Sequence, residues 1–357
     1  MVDERIKKHA KIIVDYSTKI KKGENVIISS SILAQDLVHE IYKLVLKKGA
    51  YASIKWNVSE FGYTFYKYAN KDQLNKVPKH FFNEVEDAQV FISIIGDFNT
   101  KEMSNVDPKK ISIRNKAFYK VGELISNRPG KMRRCLTIHP TSALAQEAGM
   151  SLEEFSDYVY DCVLQDWNKE ARKMMKVKKY LDKVNGLMIV GKDTNLTMSI
   201  KGKRFEISNG TSNLPGGEIF CAPVRESLNG EIYFDYYSIC SGKKVSDIKL
   251  WFKNGAVVKA TASENQDFLL KMIKTDKNSK YVGELGIGLN KKINKQTNEL
   301  LLDEKLGQTI HLALGTAYKS CGGGNDSAIH WDILKDMKKA KIFGDGKLIY
   351  KDGKWLV

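Results

Sequence analysis

A chain of 357 residues exceeds what one hydrophobic core usually serves, so two domains are expected. Its 42% hydrophobic and 28% charged residues describe an ordinary soluble protein, and no apolar run reaches the roughly eighteen residues of a membrane span. The net charge of +16, from 58 Lys+Arg against 42 Asp+Glu, can attract nucleic acid, but the lysines are scattered through KKH, KIKKG, LKKGA, KVKKY, NKKINK and MKKAK. Without an arginine-rich arm or an aromatic–basic motif, they read as a solvated surface and not as a nucleic-acid footprint.

The N-terminal MVDERIKKHAKIIVDY is charged and amphipathic and carries no signal-peptide apolar segment, which makes the cytoplasm the expected compartment. The spacing places Ile6, Ala10, Ile13, Val14, Ser17 and Ile20 on one face of a helix over 5–22, with Gly23 as its stop. Val26-Ile27-Ile28 reads as a buried strand. Leu37, Val38, Ile41, Leu44 and Val45 mark a second helix that ends at Gly49, and strands follow near 52–56 and 90–95. Alternating strands and helices imply a parallel, helix-covered, Rossmann-like layer. The first strand runs into Ser29-Ser30-Ser31-Ile32-Leu33 and not into GxGxxG, so a dinucleotide site is not expected. A helix should follow Asp107-Pro108 and a break fall at Pro129-Gly130. Ser151 to Glu154 fits a capping box for a helix whose stripe is Phe155, Tyr158, Val159, Cys162, Val163 and Trp167.

From about residue 185 the pattern changes to short strands at 187–190, 196–200, 205–207, 232–237, 248–252 and 257–261, with a hairpin signal at Asn254-Gly255 and a helix over 264–274. Asp345-Gly346 and Asp352-Gly353 punctuate a C-terminal meander. The expectation is an N-terminal α/β domain over 1–184 and a mostly antiparallel β domain over 185–357 that carries the functional site. The five cysteines, Cys135, Cys162, Cys221, Cys240 and Cys321, are odd in number and lack CxxC spacing, which argues against a disulfide scaffold or an all-cysteine zinc site.

Metal-ligand residue types concentrate in the second half. If 328–333 is a strand, His330 and Asp332 share one face; the alternative is a solvent-facing pair. His311 lies in the apolar run Ile310–Leu314, where a histidine can equally be a hydrogen-bonded core residue. Tyr318 follows beyond Gly315 and taken alone reads as core, while a flexible glycine-rich loop separates it from His330. Glu218 follows Pro215-Gly216-Gly217 and Glu284 sits in VGELGIG, each either a ligand or a turn carboxylate. Together, three carboxylates, two imidazoles and a phenol suit a pair of divalent ions such as Zn²⁺, Co²⁺ or Mn²⁺.

The segments PTSALAQEAGMSLEEF (140–155), LPGGEIFCAPVRESLNGEI (214–232), VGELGIG (282–288), DEKLGQTIHLALGTAY (303–318) and IHWD (329–332), with VDYSTKIKKGENVII near the start, resemble in order the thermophilic aminopeptidase family of the aminopeptidase T and S type. The resemblance implies a dinuclear metallopeptidase that removes N-terminal residues from short peptides, typically as a homodimer with an elongated internal cavity. Carried over motif by motif, it implies Glu218, Glu284, His311, Tyr318, His330 and Asp332 as metal ligands. An activated hydroxide would attack the peptide carbonyl, with Glu218, Glu284 or, further afield, Glu226 moving the proton and Tyr318 facing the oxyanion. PGGE, KLGQTI and the short loop over 320–326 depart from the family pattern and bear on substrate preference.

Overall fold

The structure, a computed structural model, describes residues 2–126 and 132–357; the break expected at Pro129-Gly130 lies outside them. The chain divides into two compact units, residues 1–165 with 210–215 and residues 166–209 with 216–357.

The first unit holds a five-stranded sheet in the order Tyr51–Asn57, Asn25–Ser31, Val90–Ile95, Arg133–Ile138, Asn213–Leu214. Every pairing is parallel, with Ile28 opposite Ile54 and Ile92, and Ile92 opposite Cys135. The continuous apolar runs of its inner strands are what burial on both faces demands. The helix Gln35–Lys47 turns Leu37, Val38, Ile41 and Val45 inward, as the spacing predicts.

The first helix ends earlier than its apolar spacing suggests. Glu4–Lys11 is followed by a wider turn over Ile12–Ser17, where the Thr18 N–H and hydroxyl both donate to the Ile13 carbonyl, at 2.9 and 2.6 Å. That closure stops the helix before residue 22, yet Ile20 still reaches the core. The expected capping box is present: Ser151 Oγ accepts from the Glu154 N–H and Glu154 returns the bond to the Ser151 N–H. This helix stops at Val163, however, and Trp167 opens a new one, Trp167–Leu181, capped by Asp166 accepting from the Lys169 N–H. The apolar spacing continues across that gap and hides it.

The second unit carries two antiparallel sheets and a two-stranded hairpin. The larger sheet has eight strands: Ala256–Thr261, Lys249–Lys253, Asn229–Tyr233, Thr194–Ser199, Gly186–Gly191, Lys341–Gly344, Lys347–Lys351 and Lys354–Trp355. Asn254 and Gly255 both take positive φ, 49° and 79°, as the two-residue turn between paired strands requires. The strand expected over 232–237 stops at Tyr233, because the chain turns to bring the Asp235 carboxylate to Lys335 Nζ and the Asp336 N–H, both at 3.1 Å.

The smaller sheet has the order His330–Asp336, Thr309–Gly315, Val282–Gly288, Glu218–Cys221, Glu206–Ser208. On one face, Ile219, Leu285, Ile287, Leu312 and Ile333 join Ile189, Leu196, Ile232 and Leu250 of the larger sheet in one buried apolar cluster. Alternation then sends the intervening residues to the opposite face. No helix among the described residues is long and apolar enough to cross a membrane.

Candidate metal centre

Directly opposed residues of antiparallel strands share a face, so the register decides which side chains meet. Glu284 lies opposite Ala313, which lies opposite Asp332; Gly286 lies opposite His311, Gly288 opposite Glu218 and Gly315 opposite His330. Five of the predicted residues therefore stand on one sheet face, each facing glycine or alanine on a neighbouring strand. His330 and Asp332 lie two apart on one strand, as expected. Glu284 belongs to a wholly buried strand, which removes the surface-turn alternative for it.

The side chains converge. His311 Nε2 is 3.1 Å from Glu218 Oε1, 3.3 Å from Glu284 Oε1 and 3.8 Å from Asp332 Oδ1, and His330 Nε2 is 3.6 Å from Asp332 Oδ2. Ligand atoms of Glu218, Glu284 and His311 lie within 4.8 Å of one another, as do those of Glu284, His330 and Asp332. Glu284 is common to both groups. The exposures of Glu218, Glu284, His311 and Asp332 are 3, 4, 0 and 5%. The Thr316 carbonyl fixes the His330 ring by accepting from Nδ1 at 2.9 Å, which leaves Nε2 to face the cluster.

Gly286 supplies the space for His311. A Cβ there would sit 2.1 Å from both Cε1 and Nε2 of the ring and 2.9 Å from Glu218 Oε1. Gly286→Ala is accordingly expected to displace the imidazole, cost about 1–3 kcal/mol from overpacking and lower metal content. Elemental analysis of the dialysed variant checks this, and wild-type metal content with an unchanged melting temperature would contradict it.

Two further groups escaped sequence reasoning. Lys305 is fully buried, with Nζ 2.5 Å from Glu304 Oε2 and 3.5 Å from Glu218 Oε2. Its position follows from the short helix Leu300–Asp303, whose Asp303 carboxylate ties down the N–H groups of Thr297 and Asn298 at 2.8 and 2.9 Å. Burial pushes the Glu218 carboxyl up, but Lys305 and His311 outweigh it and hold the group below its ordinary value. Glu284 moves the other way: burial raises it, and neighbouring Glu218 and Asp332 add to the rise. Burial lifts Glu304 to about 7.

Tyr318 is not a core residue. It is 51% exposed, and its ring lies 5.2 Å from that of His330 and 6.2 Å from that of Phe220. The glycine-rich loop before His330 is pinned, because buried Asn325 donates to the Gly315 and Asn278 carbonyls at 2.5 and 3.0 Å. Glu226 is exposed, packs beside Gly255 and belongs to neither ligand group.

Buried polar atoms normally find hydrogen-bond partners, yet Glu284 Oε2, Asp332 Oδ1 and His311 Nδ1 have none among the described residues. Three crowded carboxylates with imidazole nitrogen between them are costly to bury without cations beyond Lys305. Oxygen and imidazole donors in two overlapping groups fit divalent ions of the zinc, cobalt or manganese type.

Fold and site together define a two-unit α/β protein with a buried carboxylate–imidazole centre of the metalloenzyme kind. The chain belongs to the thermophilic metalloprotease (M29) family, whose profile it matches over residues 2–355. Similar proteins include aminopeptidase AmpS of Bacillus subtilis (strain 168), 23% identical over 99% of this chain and 98% of that one. Aminopeptidase 2 of Geobacillus stearothermophilus is 24% identical over the same shares, 99% and 98%. Among solved structures, wild-type AmpT from Thermus thermophilus shares the fold with a TM-score of 0.85 at 20% identity, covering 99% of both chains. A 2,5-dihydroxypyridine dioxygenase from Pseudomonas putida KT2440 also aligns, with a TM-score of 0.63 at 11% identity over 99% of this chain and 97% of that one. The fold alone therefore does not select the chemistry.

Proposed function

We propose that this protein is a metal-dependent aminopeptidase that releases N-terminal residues from short peptides and works as a homodimer. The observation that carries the reading is the convergence of Glu218, Glu284, His311, His330 and Asp332 on one sheet face, with unpartnered buried atoms, in an M29 family chain. Aminopeptidase function in the named relatives supports the substrate class.

In this reading Glu218, Glu284 and His311 would hold one divalent ion, and Glu284, His330 and Asp332 would hold a second. Tyr318, whose ring lies 5.2 Å from that of His330, would join the second set and be placed to donate to the substrate's carbonyl oxygen. A divalent ion held there would supply Lewis acidity toward a water and toward the scissile carbonyl. Lys305 keeps Glu218 anionic and therefore a ligand. The unit formed by 166–209 and 216–357 is then the catalytic one.

Chelated protein should not hydrolyse a leucine chromogenic amide, and adding Co²⁺, Zn²⁺ or Mn²⁺ should restore turnover. Inactivity with every metal and peptide tried would leave the chain as a peptide-binding scaffold.

A further inference from the structure

The parallel sheet carries a cleft that the peptidase chemistry does not use. Its volume is about 450 Å³, and it opens at the carboxyl ends of three strands, where Ser31, Asn57 and Gly96 line it. From Asn25–Ser31 the sheet runs to Tyr51–Asn57 on one side and to Val90–Ile95 on the other, so the strand order reverses here. Open α/β sheets bind small ligands in the crevice at such a switch point.

The lining specifies what fits. Trp56, Phe61 and Phe98 stand at the cleft 39, 71 and 42% exposed, with Met103 beside them. No Lys or Arg among the described residues lines it, although the chain carries a net charge of +16. Two carboxylates do, and they differ in their commitments. Glu102 accepts from the Glu60 N–H at 2.8 Å and the Ser59 hydroxyl at 3.1 Å. These bonds hold Glu60 at a left-handed φ of 68° and set Phe61 at the mouth. The Asp97 main-chain carbonyl accepts from the Thr141 hydroxyl at 2.8 Å, but its carboxylate has no hydrogen-bond or ion-pair partner among the described residues and lies within the field of Glu102. An anion is repelled by this pair, and a phosphate finds neither a glycine-rich cradle nor a basic side chain.

We propose that this cleft binds a small organic cation: a primary ammonium on an apolar body, the ammonium at Asp97 and the body against Trp56 and Phe98. Aromatic faces and an uncommitted carboxylate both attract such a group.

The test is calorimetric titration of the full-length chelated protein with 2-phenylethylamine, and with phenylacetate as the anion of matching shape. Chelation keeps the amine from reporting on the metal centre. Saturable binding of the amine alone is expected, weakened about tenfold by Asp97→Asn and likewise by Trp56→Ala. Equal uptake of phenylacetate, or amine affinity unchanged in both variants, overturns the proposal. So does absence of binding; if Phe61→Ala then converts a sedimenting dimer to single chains, the face belongs to a second copy.

Discussion

Glu284→Gln should strip the protein of both ions of the proposed centre and reduce leucine-amide hydrolysis by about 10³-fold or more, the several kcal/mol that metal polarisation contributes to such reactions. The size of the effect follows from position. Glu284 is the one residue common to both ligand groups, and its carboxylate lies 3.3 Å from His311 on one side and near Asp332 and His330 on the other. His330→Ala touches the second group alone, so its metal content should fall by one ion and not two. The glutamine amide occupies the carboxylate's volume and removes a negative charge from a crowded buried set. The chelated variant should therefore melt no lower than the chelated parent. Elemental analysis and calorimetry of the three proteins decide the matter. Two ions retained in Glu284→Gln would end the shared-ligand assignment, and a large drop in melting temperature would mean that the side chain is structural.

Lys305→Met should destabilise the chelated protein by about 3–5 kcal/mol, the usual cost of removing one partner from a buried ion pair. Nζ has no solvent contact and serves two carboxylates, Glu304 and the buried Glu218, so its loss leaves Glu304 without its cation and Glu218 with His311 alone. At the scale of a domain this corresponds to a fall of roughly ten degrees in melting temperature. Bound divalent ions supply part of the missing positive charge, so the deficit should narrow when metal is added. Glu304→Gln in the same chain should recover part of it by removing one orphaned carboxylate. Thermal melts of single and double variants, with and without Zn²⁺, measure each arm. A deficit untouched by either change would place the role of Lys305 in packing, through its apolar stem.

The parts of this protein that sequence reasoning reaches are those where burial imprints a period. Val26–Ile28, Val90–Ile95 and the stripe through Leu37, Val38 and Ile41 are apolar because both faces, or one whole face, are covered. The helices Phe61–Tyr68, Lys71–Asn75 and Lys79–Asp87 leave almost no such imprint: the first buries no residue at all, and each of the others buries one. At the metal centre, His330 and Asp332 are legible because a strand puts i and i+2 on one side. The approach of His311 to Glu284 is set by register between strands, which no local spacing encodes. Lys305 is invisible for a different reason: among 58 basic residues, nothing marks the one that folding takes out of water. Tyr318, read alone as core, is exposed because it lies past the end of its strand.

The shared position of Glu284 also imposes an order of assembly. The strands Val282–Gly288, Thr309–Gly315 and His330–Asp336 follow one another as a meander, so Glu284, His330 and Asp332 meet once two successive antiparallel pairings have formed. Glu218 must close a gap of 66 residues (284 − 218) before it pairs with that meander. Non-local pairing is the slower event because the loop entropy is lost before any contact compensates for it. During folding the second ligand group is thus expected to be complete while the first still lacks a member. A cation captured early would fasten the meander and leave Glu218–Cys221 to dock on a template already cross-linked.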